Sequence, residues 1–183
     1  MQDAHDNRQV VYLMSGAAHL PYLVASMHTL RRHWGGRILV YAFPESYDIA
    51  KRLAADSRLD ARAIEWYPTH KGYVPNKNLQ FVEKIRLMQT QNAADATVYL
   101  DADTTIHKPI TPLFAYAAEY GFAATRFNDW PAAGRVVRGR IERLRQFKEI
   151  DQGLVVRLLD ESLEYPSVNG GVFGCISDSR VLT

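Results

Sequence analysis

Short apolar runs alternate with segments of helical periodicity through the first hundred residues of this chain. Val10 to Met14, Ile38 to Ala42, Ala63 to Tyr67 and Val98 to Leu100 are rich in β-branched and aromatic residues and lack a helical period, which predicts buried strands. Between them, Pro21 suits a first helical turn, and Leu23, Met27 and Leu30 share one face before Gly35-Gly36. Tyr47 to Ala55 predicts a second helix capped by Ser46, with Ile49 and Leu53 facing inward. Lys71 to Lys77 reads as a loop, and Leu79 to Gln91 as a third helix with Phe81, Ile85 and Met88 aligned. The order is βαβαβαβ, which implies a mainly parallel central sheet with helices on both faces.

The later pattern is less regular. Thr111-Pro112 starts a predicted helix that Gly121 ends, and Phe122 to Arg126 follows as a strand. Arg135 to Ile150 reads as a basic amphipathic helix, Gln152 to Leu159 as a further helix, and Ser167 to Ile176 as a glycine-containing strand. Neither an internal repeat nor a low-complexity linker interrupts residues 1–183, which reads as a single domain.

Composition narrows the class without naming a chemistry. A hydrophobic fraction of 47% and a charged fraction of 23% are ordinary for a soluble globular protein. The formal charge of +2 gives no argument for nucleic acid. The single cysteine, Cys175, rules out an intramolecular disulfide and fits a reducing compartment or indifference to redox. Met1 to Gln9 is polar, and the apolar run behind it is short, so neither a secretory signal nor a transmembrane segment is expected. The expected location is cytoplasmic. The basic helix leaves contact with anionic phosphates of a ligand or peripheral contact with an anionic membrane open beside its plainer reading as a solvated face.

Chemistry concentrates at Asp101-Ala102-Asp103, directly after the buried Val98-Tyr99-Leu100 strand. Residues two apart on an extended chain point the same way, so both carboxylates can face one ligand. Two ionised carboxylates at a buried strand end are costly without a compensating charge. A divalent cation supplies it, and hard oxygen ligands suit magnesium or manganese. As a calcium loop the segment fails, with Ile106 and Pro112 at the positions needing glycine and glutamate. Asp101-Ala102-Asp103-Thr104-Thr105 also resembles the D-x-D-x-T signature of haloacid-dehalogenase-type phosphatases, which would make Asp101 a nucleophile. That family carries the motif on its first strand, whereas about a hundred residues precede it here. A second cluster, Asn169-Gly170-Gly171-Val172-Phe173, joins a side chain able to bond sugar hydroxyls to a close-approaching backbone; a β-bulge is its plain alternative. Phe127-Asn128-Asp129-Trp130 reads equally as part of a sugar site or as a packed surface loop.

Together these two motifs resemble the nucleotide-sugar glycosyltransferases of the GT-A fold, nearest the glycogenin-like, family 8 type, over roughly Val10 to Ile176. The family's second motif reads N-S-G-V, and Gly170 stands here in place of the serine. The resemblance implies a Rossmann-like GT-A domain that transfers a sugar from a nucleoside diphosphate sugar, UDP-sugar favoured, to an unknown acceptor, with retention favoured over inversion. It implies that Asp101 and Asp103 are the catalytic metal ligands for Mn²⁺ or Mg²⁺. It further implies a donor site of Ser15, Gly16, Ala17, Lys84, Asp101, Ala102, Asp103, Asn169, Gly170 and Gly171, with Lys84 on the helix before the metal strand. Lys84 reads equally as an ordinary exposed helical lysine, and Ser15-Gly16-Ala17 equally as a plain βα turn. A non-catalytic nucleotide-sugar-binding module is the remaining alternative. Family members carry a further acidic motif and a metal-binding histidine after the N-S-G-like strand; neither occurs before Thr183, so a C-terminally incomplete domain is expected.

Overall fold

The computed structural model describes residues 7–14, 16–56, 64–69, 84, 87, 88, 94–126, 138, 139, 142, 145, 152–161 and 168–176. The predicted strands form as β1 (Arg8–Met14), β2 (Arg37–Ala42), β3 (Ile64–Pro68), β4 (Ala96–Asp101), β5 (Phe122–Arg126) and β6 (Val168–Ile176). They make one six-stranded sheet in the order β3-β2-β1-β4-β6-β5. β3, β2, β1 and β4 run parallel, and β6 pairs antiparallel with β4. The chain divides into two compact units, Met1–Ala123 with Gly171–Thr183, and Ala124–Gly170.

Helix α1 (Leu20–Arg31) follows β1, α2 (Pro44–Asp56) follows β2, α3 (Thr111–Tyr120) follows β4, and α4 (Gln152–Glu161) precedes β6. One sheet face presents Val10, Tyr12, Met14, Ile38, Val40, Ala42, Val98 and Leu100 to a core completed by Leu23, Met27 and Leu30 of α1 and Phe114 of α3. Trp34 stacks on Phe114 with centroids 4.7 Å apart, and the Arg8 guanidinium lies over both rings. Tyr12 hydroxyl and Ser26 Oγ hydrogen-bond across 2.9 Å, tying α1 to β1, and burial pushes the phenol well above its ordinary pKa. The opposite face carries the alternate residues, and over it lies the helical Lys84, whose ammonium is 5.2 Å from the Tyr99 ring centroid. On this face the described helical residues are Lys84, Leu87 and Met88. Among the described residues no helix is long and apolar enough to cross a membrane.

The second helix departs from its prediction. It begins at Pro44, so Ser46 lies inside the helix rather than capping it. Ser46 and Ala50 are buried, whereas Ile49 is 43% exposed. Small side chains four apart meet the protein, and Tyr47 beside them reaches the Trp66 carbonyl at 3.1 Å. Hydrophobicity alone turned Ile49 inward, and the helix turns it out; the Leu53 side chain lies outside the described residues. Gly121 ends α3 as expected, in the left-handed region at φ 79°. The predicted loop at 71–77, nearly all of the predicted 135–150 helix and the Phe127–Trp130 cluster lie outside the described residues, as does all of the 79–91 helix but Lys84, Leu87 and Met88.

Candidate active site

β4 reaches the carboxyl edge of the parallel sheet with Val98, Tyr99 and Leu100 fully buried, so the chain must turn into solvent there. It does so within the motif itself. Strand pairing stops at Asp101, whose carbonyl accepts the Thr104 N–H at 3.0 Å, and Ala102 and Asp103 occupy the middle of that turn. The two carboxylates are therefore presented by a turn rather than by strand alternation. Asp103 is exposed, while Ala102 is buried and lets the turn close onto the core. Beyond the turn, Thr29 Oγ1 on α1 accepts the Ile106 N–H at 3.0 Å, and Ile106 and Ile110 enter the core. Both ends of the loop are thus fixed. His107 is an exposed loop residue.

Asp101 is not free. Its Oδ1 accepts from Lys84 Nζ at 2.5 Å and from the Tyr99 hydroxyl at 2.9 Å. Lys84 is well covered, with 17% of its side chain exposed against 31% for Asp101. Tyr99 stacks on Phe173 of β6, with centroids 5.1 Å apart. Burial first, and then the charge of Asp101, holds the Tyr99 phenol protonated, far above its ordinary pKa. The Asp103 charge adds to the same shift, so both carboxylates bear on this one hydroxyl. Sequence reasoning found Asp101 and Lys84 but missed Tyr99. Its only signal was its place two residues before Asp101, on the same face of the strand.

The other predicted residues fall around this edge in part. Leu13 of β1 pairs with Asp101, which sets the end of β1 beside the motif; Gly16 and Ala17 follow, and Ser15 lies outside the described residues. Gly16 has an extended backbone at φ 174°, a conformation open to any residue. β6 pairs Val172 with Leu100, so Gly171 and Asp101 each lie one residue from a ladder pair. Gly171 is buried. Asn169 and Gly170 open the same strand, but their side-chain surroundings lie outside the described residues. On the Asp101 side of the sheet, the same row continues through Leu13 to Tyr41 and Tyr67, whose rings stack at 5.4 Å. No group of three or more His, Cys, Asp or Glu side chains suited to a metal occurs among the described residues.

Parallel strands carrying an acidic turn at their carboxyl edge, closed by an antiparallel strand, give a Rossmann-type α/β fold of the GT-A kind. No protein-family model matches the sequence, and no curated protein matches it. Solved structures do share the fold. The galactosyltransferase LgtC, crystallised in complex with donor and acceptor sugar analogs, is similar at a TM-score of 0.64 and 13% identity, over 93% of this chain and 58% of that one. The WbbM bifunctional glycosyltransferase in its apo form gives 0.61 and 13%, over 99% and 33%. Mouse xyloside xylosyltransferase 1, also apo, gives 0.56 and 13%, over 96% and 69%. This chain thus spans 58% of the length of LgtC and a third of WbbM. The structural neighbours are glycosyltransferases, and at these identities the likeness is one of fold.

Proposed function

We propose that this chain is the nucleotide-sugar-binding part of a glycosyltransferase that moves a sugar from a nucleoside diphosphate sugar to an acceptor. The observation carrying the reading is the Asp101-Ala102-Asp103 turn at the carboxyl edge of a sheet shared with glycosyltransferases, where open α/β sheets bind ligands. LgtC was crystallised with donor and acceptor sugar analogs, which supports a nucleotide-sugar donor here.

A divalent cation fits this donor set. Two carboxylates carried by one turn suit magnesium or manganese, which commonly take one or two carboxylates and complete their shell from substrate phosphate and water. Asp101 and Asp103 would hold it. When bound, the metal supplies charge neutralisation for the departing nucleoside diphosphate. Lys84 adds a second positive charge at the same edge, and its coverage strengthens that charge relative to one in open water. Tyr99 holds the Asp101 carboxylate in place with a hydroxyl that burial keeps protonated. The turn at Gly16 and Ala17 would seat the nucleoside, and Asn169 with Gly170 and Gly171 would shape the sugar pocket. UDP as donor nucleotide and retention of configuration follow from the glycogenin-like resemblance of the motifs. The phosphatase reading is not favoured: the motif ends the fourth strand, and the fold neighbours are glycosyltransferases.

Thermal shift with uridine or guanosine diphosphate, with and without Mn²⁺, tests this reading on wild type and Asp103→Ala. Wild type is expected to be stabilised by a nucleoside diphosphate only when Mn²⁺ is present, since a ligand bound to the native state raises its midpoint. Asp103→Ala is expected to lose that increment. No stabilisation of wild type by either nucleotide in Mn²⁺ sinks the proposal, and an equal shift in Asp103→Ala removes Asp103 from the site.

A further inference from the structure

We propose that Lys84 is the resident counter-ion of the acidic turn, exchanged for the divalent cation when the site loads, so that metal and nucleoside diphosphate bind cooperatively. The inference rests on the reading above and deepens it: Lys84 is assigned a competing role before it has any donor-binding role. Three observations carry it. Lys84 Nζ lies 2.5 Å from Asp101 Oδ1, closer than either would sit in a loose surface pair. The same ammonium lies over the Tyr99 ring, which holds a cation by its π face while its hydroxyl donates to the same Oδ1. The Lys84 and Tyr99 hydrogen bonds to the Asp101 carboxylate both fall on Oδ1, so Oδ2 is engaged by neither of these two partners.

The charge arithmetic follows directly. Asp101 and Asp103 together offer −2 to an entering dication, but with Lys84 paired the turn offers only −1. A metal alone must therefore work against the ammonium, since like charges a few ångströms apart in a partly covered site repel appreciably. A nucleoside diphosphate brings fresh negative charge to the same edge and gives Lys84 a new partner. Its binding releases the competition at Asp101, and the metal's binding releases Lys84 toward the phosphates. By linkage, each ligand must raise the affinity for the other by the same factor.

Lys84→Met keeps the length of the stem and removes the charge. Mn²⁺ affinity is read by electron paramagnetic resonance of the free ion, first without nucleotide and then with saturating uridine diphosphate. Lys84→Met is expected to bind Mn²⁺ alone at least threefold more tightly than wild type, and the factor by which uridine diphosphate improves Mn²⁺ binding is expected to fall at least threefold. A structural role for Lys84 gives the opposite sign, weaker Mn²⁺ binding without nucleotide, and that result or an unchanged affinity overturns the exchange while leaving the glycosyltransferase reading in place. Wild type that binds neither Mn²⁺ nor its uridine diphosphate complex overturns both. Should Lys84→Met fail to fold, the side-chain ammonium signal of ¹⁵N-lysine-labelled wild type decides. Mg²⁺ alone is expected to shift the Lys84 signal, and a signal indifferent to Mg²⁺ overturns the exchange.

Discussion

Asp101 receives two donors on one oxygen, and neither partner is adjacent to it in the chain. The carboxylate pair was legible because two aspartates flank a small residue after an apolar run. The Tyr99 hydroxyl was not, since tyrosine within a buried strand reads first as filler. A second polar system was hidden for the same reason. Arg37 of β2 donates through Nε and a terminal nitrogen to both oxygens of Glu65 on β3, at 2.6 and 3.0 Å, and Tyr67 donates to Oε2. Gln9, buried on β1, extends it by accepting from Arg37 and donating to Thr97. The register that sets Gln9 beside Arg37 and Thr97 cannot be read from any one strand. The Arg37 guanidinium beside Glu65, helped by the Tyr67 hydroxyl, lowers the carboxyl from 4.5 to about 2. A folded value below the unfolded one means stability present above about pH 4.5 and lost as pH falls toward 2. Both side chains are more than a third exposed, at 38% and 39%, so solvent screens much of the gain. Thermal melts should show Glu65→Gln less stable than wild type near pH 6, with the difference closing as pH approaches 2.

Most elements were legible from periodicity, because continuous apolar strands and a proline-started, glycine-ended helix carry strong local signals. β1, β2, β3, β4, α1 and α3 lie within a few residues of their predicted bounds. The reversal of β6 was not legible, because pairing direction depends on where the chain returns and not on what the strand contains. Nor did sequence explain Gly174 within that strand. A Cβ there would meet Val98 Cγ2 at 3.3 Å and both the Ala117 Cβ and the Leu113 carbonyl oxygen at 3.4 Å. The glycine lets α3 lie close against the β4 and β6 strands. Gly174→Val should overpack this contact and cost about 1–3 kcal/mol in urea unfolding, with Gly174→Ala milder. A valine variant as stable as wild type would show that α3 can yield.

At the scale of the whole molecule, one layered core joins both sides of the acidic turn. Phe114 of α3, fully buried, stacks on Trp34, which follows α1. Phe114→Ala should remove about 3–5 kcal/mol of stability, read as a lower midpoint in chemical unfolding. A loss under about 1 kcal/mol would mean that the cluster collapses to fill the space. The antiparallel pairing of β6 with β4 also has a consequence for synthesis. β4 is flanked by β1 on one side and by β6 on the other, and β6 emerges from the ribosome long after β4. Until then the nascent sheet ends at β4, with a row of unpaired amides along one of its most apolar strands. Such an edge invites pairing with other chains. The strand that completes the acidic edge is thus also the one that closes an aggregation-prone interval in the life of the growing polypeptide.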